Sequence, residues 1–369
     1  MTTATQIPAG VAAITVDWLN EVMAPSLPAG TRIESFDSTR IGEGVGFLGE
    51  LARVRPAYSG AGAADAPASF IVKLPTQVPE PRGMAAVLGF YEREIGFYNE
   101  LAPSLTIRIP KAYHAEYHAA DANFALILED IEGAKVGDQL ASCSVDQAHL
   151  AIRELAKNHA RWWQSDDLTR YHWLPSRGHA FYQYLKAGHL QALPVFQEKF
   201  ADHFDPMITR CAVGLGEKYD EYLESMFDRP LTLSHGDYRL DNMMFGPAGS
   251  PNEFVVLDWQ LCGTGMAAQD LQYFISGNLK KDAIAAHTED LLETYYETLR
   301  RSGVSDYSRA ELDEDYARTS LLLSFYIVQG ITTIDADAYN ERGHDLIEAM
   351  FGSLVDSMMR YEAERFLPA

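Results

Sequence analysis

Short alternations of apolar and polar residues run through the first third of the chain, and this period-two pattern predicts β-strands. One of these runs, residues 69–75, is almost wholly apolar and carries a single lysine, Lys73. Between residues 84 and 101 the apolar positions recur at helical spacing, which predicts one helix. The first 130 residues are therefore expected to form a small sheet with one helix packed on it. The predicted strands are residues 33–41, 50–55, 69–75, 110–117 and 123–128.

After residue 129 the apolar positions recur mostly at helical spacing. Two capping boxes, Ser144-x-x-Gln147 and Ser308-x-x-Glu311, mark helix starts, because their side chains satisfy backbone N–H groups there. The chain is thus predicted to be an α+β protein with a β-rich N-lobe and a larger, mainly helical C-lobe. The predicted helices are residues 144–163, 181–227 with breaks at Pro194 and Pro206, 267–275, 282–300, 308–329 and 337–366. The predicted lobes are residues 1–130 and 131–369.

Composition and charge exclude some classes of protein. With 47% hydrophobic and 22% charged residues, the chain can bury a sizeable core and is not expected to be disordered. Its net charge of −22 argues against nucleic-acid binding, which needs a basic footprint. An acidic surface is compatible with a cationic substrate, although the simpler explanation is that it keeps the protein in solution.

Cysteine usage and the apolar runs bear on the compartment. The cysteines Cys143, Cys211 and Cys262 are odd in number and far apart, which suits a reducing compartment and excludes metal-ligand spacing. The first residues lack the charged leader and apolar core of a secretion signal. The longest apolar run, residues 321–334, is too short and too polar to span a bilayer. A cytoplasmic protein without a membrane span is predicted.

The segment from residue 234 to 258 carries the most specific chemistry. It contains His-Gly-Asp-x4-Asn, followed by two apolar runs around a Pro/Gly-rich turn and a second aspartate, the arrangement of a phosphoryl-transfer loop and its metal-binding strand. Asp237 is the candidate base beside the acceptor hydroxyl. Because Mg²⁺ prefers oxygen ligands, Asn242 and Asp258 are its candidate ligands. Asp241, between Asp237 and Asn242, is expected to be an exposed loop residue without a role.

A glycine cluster, Gly44-x-Gly46-x-x-Gly49, precedes the second predicted strand. A dinucleotide-binding turn of an oxidoreductase has the same spelling, but that turn opens a helix. Here residues 50–55 predict a strand, so the cluster matches the glycine loop that covers ATP phosphates in kinases. We therefore expect Gly44, Gly46 and Gly49 to contact the nucleotide.

Lys73 lies in a predicted buried strand and needs a partner, because an unpaired buried charge is costly. A nucleotide phosphate and a carboxylate from the following helix would satisfy it, and Glu94, in the middle of that helix, is the chosen candidate. Glu129 and Ile131 follow the last strand at the predicted lobe boundary. They are expected to hold adenine through backbone groups.

Two further residues have alternative interpretations. Asp270, at the start of a predicted helix, either braces the catalytic loop through its amides or simply caps the helix. His159 is expected to be a packed helix histidine rather than a catalytic one.

In combination, these motifs resemble the aminoglycoside phosphotransferase and choline kinase superfamily, and within it the ecdysteroid-kinase-like branch, over residues 41–274. The resemblance implies a protein-kinase-like two-lobe fold, ATP and Mg²⁺ as cofactors, Asp237 as catalytic base and Asn242 and Asp258 as metal ligands. It also implies a substrate pocket built from the C-terminal helices. The motifs that carry it are Ile-Val-Lys73, Glu94-Ile-Gly-Phe-Tyr, Leu-Glu129-Asp130, His159-Ala-Arg-Trp-Trp, His235-Gly-Asp237-x4-Asn242, Leu-Asp258-x4-Gly263 and Asp270-Leu-x-Tyr-Phe.

Departures from protein kinases indicate a small-molecule kinase. Gly236 replaces the arginine that reads a phosphorylated activation loop, and only 11 residues separate Asp258 from Asp270, too few for a regulatory segment. The predicted activity is transfer of the γ-phosphate of ATP to a hydroxyl of a small molecule. The alternative is a nucleotide-binding pseudokinase that acts as an interaction module. The acceptor stays open between an amino sugar, an amino alcohol, a sterol and another alcohol.

Overall fold

The computed structural model describes residues 6–42, 48–331 and 341–369. It contains two compact units, the first comprising Met1–Ala134 and Pro247–Leu261 and the second comprising Lys135–Gly246 and Cys262–Ala369. Asp258 therefore belongs to the same unit as Lys73, although the two are far apart in the chain. The division into lobes of residues 1–130 and 131–369 stays a prediction.

The elements are numbered in chain order. The strands are β1 (Arg32–Ile41), β2 (Gly49–Ser59), β3 (Phe70–Pro75), β4 (Ala112–His118), β5 (Asn123–Glu129), β6 (Lys135–Val136), β7 (Leu231–Ser234), β8 (Met243–Phe245), β9 (Phe254–Val256) and β10 (Gly263–Met266). The helices are α1 (Val16–Met23), α2 (Pro79–Val87), α3 (Phe90–Gly96), α4 (Val145–Arg161), α5 (Phe181–Lys199), α6 (Pro206–Glu217), α7 (Tyr219–Phe227), α8 (Ala267–Asn278), α9 (Lys281–Arg301), α10 (Arg309–Thr319), α11 (Leu322–Ile331) and α12 (Glu341–Arg360).

The first unit is built on an antiparallel sheet with the strand order β1-β2-β3-β5-β4. Phe70, Val72 and Leu74 alternate along the central strand β3 and are fully buried, as expected for side chains that share one face of a strand. They pack in one core with Trp18 and Leu19 of α1. The mostly helical second unit follows, so the α+β prediction is confirmed.

Strands β1 and β2 form the hairpin predicted around the glycine cluster, with Ile41 opposite Leu51. The second strand is longer than predicted, because it continues through Pro56 to Ser59. Pro56 lies opposite Phe36 of β1, whereas the pairing of β2 with β3 ends at Val54. Proline has no backbone N–H. It is tolerated here because β2 pairs with a neighbouring strand on only one side at this position.

The single helix predicted over residues 84–101 is wrong. Two helices, α2 and α3, are separated by Gly89, and a π-helical turn, Phe97–Leu101, follows α3. Gly89 has a φ of 69°, a left-handed conformation that ends α2 and re-aims the chain. Glu94 consequently lies on the short helix α3 rather than in the middle of a long one.

Both capping boxes are present at the starts of α4 and α10. The predicted break at Pro194 is wrong, because α5 continues through this residue. Proline has no N–H to donate to the carbonyl of Leu190, but Leu190 is exposed to water. Conversely, the helix predicted over residues 308–329 is interrupted between α10 and α11. The hydroxyls of Ser320 and Ser324 donate to carbonyls three residues earlier and so compete with helical bonds there.

Two further findings concern membrane spans and disulfides. None of the helices in the described ranges is long and apolar enough to cross a membrane. All three cysteines are described, and none of them forms a disulfide.

Candidate active site

In the first unit, Lys73 is held between two carboxylates. Its Nζ lies 2.7 Å from Oε1 of Glu94 and 3.5 Å from Oδ1 of Asp258. The side chains of Lys73 and Glu94 are buried, whereas that of Asp258 is 31% exposed. A buried lysine is tolerated here because both carboxylates compensate its charge. The structure thus brings together three of the predicted site residues.

The charges of this cluster influence each other. Burial alone would lower the pKa of Lys73, but the charges of Asp258 and Glu94 outweigh it, so the pKa is raised and the ammonium stays charged. Burial raises the pKa of Glu94 to about 7 against the opposing charge of Lys73. Among the described residues, Oε2 of Glu94 has no hydrogen-bond partner. One lysine therefore faces two acids, an arrangement that an additional cation would stabilise.

Asp258 adopts an unusual backbone conformation, with a φ of 58°. The surrounding contacts enforce this bend: Trp259 stacks on Phe97 with 4.4 Å between ring centroids, and Arg93 donates to the carbonyl of Gln260 at 3.0 Å. Positive φ values in residues other than glycine cluster at functional sites, where neighbouring structure holds the strained conformation. The bend turns the carboxylate of Asp258 towards Lys73.

Gly49 has a structural reason to be glycine. A Cβ placed there would lie 3.2 Å from Cε of Lys73 and 3.2 Å from the carbonyl oxygen of Leu74. Because glycine has no Cβ, the start of β2 can pass close to Lys73. Gly44 and Gly46 lie outside the described residues, and a phosphate-binding role for all three glycines stays a prediction.

The predicted adenine contacts lie at the end of β5. The N–H of Glu129 donates to the carbonyl of Lys111 at 2.8 Å, and its carboxylate accepts from Arg108 at 2.7 Å. These groups of Glu129 are therefore already used within the unit. In the described structure, the N–H of the buried residue Ile131 makes no hydrogen bond. Binding of adenine by these two residues stays a prediction.

In the second unit, the loop after β7 brings Asp237 and Asn242 together. Nδ2 of Asn242 donates to Oδ2 of Asp237 at 2.8 Å and to its carbonyl at 3.0 Å. Nε of Arg239 donates to the same Oδ2 at 3.1 Å. Both bonds of Asn242 use its nitrogen, which leaves its Oδ1 available as an acceptor. This oxygen suits a hard cation such as Mg²⁺.

Asp270 braces the start of this loop. Its carboxylate accepts from the N–H groups of His235 at 2.7 Å and Gly236 at 2.9 Å, and from the hydroxyl of Ser234 at 2.9 Å. Burial would raise the pKa of Asp270, but His159 and the other donors outweigh it, so the pKa is lowered and the carboxylate stays ionised. Of the two interpretations of Asp270, the loop brace is the one that the structure contains.

His159 does more than pack. It is fully buried, as expected, and its Nε2 lies 3.3 Å from Oδ2 of Asp270. Because an ionised carboxylate only accepts, Nε2 carries a proton, and Nδ1 lies 2.8 Å from the hydroxyl oxygen of Tyr295. The sequence did not indicate this contact, since the residues lie on three different helices.

Helix α8 also holds the other end of the loop. Oδ1 of Asn278 accepts from the N–H of Leu240 at 2.8 Å. On the opposite side, the hydroxyl of Tyr238 donates to the carbonyl of Ala151 in α4 at 2.8 Å. The expectation that Asp241 is an exposed loop residue without a role is wrong, because it is half-buried and accepts from the N–H of Gln139 at 3.0 Å and from Arg239 at 2.9 Å. The loop is therefore fixed at several points.

No complete protein metal centre lies among the described residues of either unit. Within the residues that the structure describes, no group of three histidine, cysteine or acidic side chains could hold a metal ion. A few oxygen ligands are nevertheless what Mg²⁺ requires when phosphates supply the remainder. The carboxylate of Asp258 in the first unit and Oδ1 of Asn242 in the second are each an oxygen donor of the kind that magnesium prefers.

Residues 43–303 match the model of the "Ecdysteroid kinase-like family". This confirms the resemblance found from the motifs. No curated protein matched the sequence.

Solved structures share the fold at low sequence identity. A candidate aminoglycoside phosphotransferase from Ralstonia eutropha has 16% identity and a TM-score of 0.57, covering 95% of this chain and 98% of its own. The ethanolamine kinase of Plasmodium vivax has 11% identity and a TM-score of 0.55, covering 98% and 93%. An amicoumacin kinase in complex with AMP-PNP, Ca²⁺ and Ami has 14% identity and a TM-score of 0.53, covering 88% of this chain and 90% of its own. These matches confirm the protein-kinase-like fold.

Proposed function

Because the chain belongs to the ecdysteroid kinase-like family, we propose that it is an ATP-dependent phosphotransferase that moves the γ-phosphate to a hydroxyl of a small molecule. The observation that carries the proposal is the loop geometry around Asp237. One carboxylate oxygen accepts from both Asn242 and Arg239, and the surrounding loop is braced by Asp270. A fixed carboxylate in a His-Gly-Asp-x4-Asn loop is what orientation of an acceptor hydroxyl requires.

Each unit supplies a distinct part of the proposed chemistry. In the first unit, Lys73 anchors the phosphates of ATP and Glu94 holds the lysine. Gly44, Gly46 and Gly49 cover the phosphates. Glu129 and Ile131 are the candidates to contact adenine, and among the described residues the N–H of Ile131 is the backbone donor left available there. In the second, Asp237 accepts the proton of the acceptor hydroxyl. Asp258 and Asn242 each offer an oxygen to Mg²⁺, which neutralises charge on the phosphates when it is bound.

Two observations support ATP and Mg²⁺ as the cofactors. The excess of acid over base around Lys73 favours an added cation, and Oδ1 of Asn242 is available. The amicoumacin kinase of the same fold was solved with AMP-PNP and Ca²⁺. The bound nucleotide and metal of that protein are the model for this proposal.

The acceptor is not specified by these features. The compared proteins are named for an aminoglycoside, ethanolamine and amicoumacin, which are chemically different. The cytoplasmic location likewise stays a prediction.

An acceptor screen tests the proposal. ADP release from Mg²⁺-ATP would be measured for the wild-type protein with amino sugars, amino alcohols, sterols and other alcohols, and in their absence. We expect at least one class to stimulate release and to gain a phosphate detectable by mass spectrometry. Nucleotide binding without any release, with or without acceptors, would favour the pseudokinase instead.

A further inference from the structure

We propose that Arg239 is a positioning residue that holds the carboxylate of the base Asp237 in one orientation. This inference rests on the proposed function, since it assigns a role within the same site. It starts from a contact that the sequence did not indicate, an arginine bonded directly to the candidate base.

The geometry of Asp237 is asymmetric. Its Oδ2 receives both Nε of Arg239 at 3.1 Å and Nδ2 of Asn242 at 2.8 Å. Neither donor reaches Oδ1. Two donors on one oxygen favour a single orientation of the carboxylate, and the side chain of Tyr273 is hydrogen-bonded to Asp237 as well. A correctly oriented base is worth a large factor in rate, because small misplacements of reacting groups are costly.

Arg239 is itself buttressed from a distant part of the chain. Its Nη1 donates to Oδ2 of Asp241 at 2.9 Å and to Oε1 of Gln139 at 3.2 Å. Gln139 in turn donates through its backbone to Asp241 at 3.0 Å and through Nε2 to the carbonyl of Gly277 in α8 at 3.1 Å. The guanidinium therefore cannot swing away from Asp237 without breaking several bonds.

An arginine is suited to this task for a chemical reason. Its planar fork offers several donors in fixed directions, so it can bond Asp237, Asp241 and Gln139 at once. The side chain of Arg239 is only 28% exposed, which limits competition from water. A lysine at this position would retain the charge but not the fixed fork.

The test compares three variants by turnover of Mg²⁺-ATP without an acceptor, by affinity for Mg²⁺-ATP and by thermal unfolding. Arg239→Met removes the contact to the base, and Gln139→Ala retains the guanidinium but removes part of its buttress. Arg229→Met is the matched control. It also removes a partly buried Arg–Asp bond of the second unit, since Arg229 is 29% exposed and donates to Asp315 at 2.6 Å.

Arg239→Met is expected to lower turnover by about 10–100-fold, the scale of a misplaced catalytic group, with unchanged affinity for Mg²⁺-ATP. Gln139→Ala is expected to lower it by a smaller factor, and Arg229→Met to lower only the unfolding temperature. The inference is overturned if Arg239→Met turns over like the wild type or loses no more activity than Arg229→Met. Full activity of Gln139→Ala would also overturn it, because Arg239 would then act by charge alone.

The wild-type measurement separates the two proposals. If the wild-type protein binds Mg²⁺-ATP but never releases ADP, even with the screened acceptors, the proposed function fails and the role of Arg239 fails with it. If the wild type is active and Arg239→Met matches it, only the role of Arg239 fails.

Discussion

At the scale of single residues, the environment of Lys73 joins stability to proposed function. The lysine compensates Glu94, whose side chain is 2% exposed, and reaches Asp258. A carboxylate this deeply buried is stable only while it is paired. The sequence predicted a helix carboxylate as partner and Glu94 as the choice, and the structure contains that contact. Its use in nucleotide binding stays a prediction.

Replacing Lys73 tests this pairing. Lys73→Met should lower the free energy of unfolding by about 3–5 kcal/mol, because it leaves a buried carboxylate without its counter-charge. The double variant Lys73→Met/Glu94→Gln should recover part of the loss, since the unpaired charge is gone. Urea unfolding of both variants measures the difference. A double variant no more stable than Lys73→Met would show that the pair does not stabilise the fold as described.

The brace at Asp270 gives a pH-dependent prediction. Its pKa is lowered in the folded state, so its stabilisation is present above the unfolded value of 3.8 and is lost as pH falls through the folded value. Asp270→Asn should lower the free energy of unfolding by about 1.5–3 kcal/mol near pH 7, the worth of hydrogen bonds to a charged group. The deficit should shrink as the pH falls below that unfolded value.

Unfolding measured from pH 7 to the acid range checks this. A deficit that is constant with pH, or that grows in acid, would mean that the carboxylate is not ionised in the folded protein.

At the scale of elements, local signals specified helix starts better than helix interruptions. The capping boxes at Ser144 and Ser308 were readable because each acts within one turn. The break at Gly89 and the uninterrupted helix at Pro194 were not, since each depends on packing or solvation beyond the local sequence. Contacts such as Asp270 with His159 join residues more than a hundred positions apart, so no short pattern could reveal them.

The second capping box offers a test at this scale. Ser308→Ala should lower the free energy of unfolding by about 0.5–2 kcal/mol, because it removes the side-chain acceptor of the Glu311 N–H. Ser305 is the matched control, an exposed serine whose hydroxyl makes no hydrogen bond to the described residues. Ser305→Ala should therefore change little. Equal losses in the two variants, measured by chemical unfolding, would contradict the role of the box.

At the scale of the whole molecule, two compact units each carry residues of the proposed chemistry, with Lys73, Glu94 and Asp258 in the first and Asp237 and Asn242 in the second. The α+β fold and the family were predictable, because residue types at fixed spacing carry both. The supports of the loop around Asp237 were not, because Arg239 and Asp241 occupy unspecified positions of the His-Gly-Asp-x4-Asn motif and Gln139 lies 100 residues away from Arg239 in the chain. The long-range hydrogen bonds that fix the loop around Asp237 cannot be seen in the sequence.

The rate of ADP release at saturating Mg²⁺-ATP, compared between the wild type and Asp237→Ala, tests the central claim most directly. The account predicts that the variant binds Mg²⁺-ATP as the wild type does but releases ADP about 10²–10⁴-fold more slowly, the usual worth of a general base. It also predicts that chelation of Mg²⁺ abolishes release in the wild type. An Asp237→Ala variant that releases ADP at the wild-type rate would contradict it.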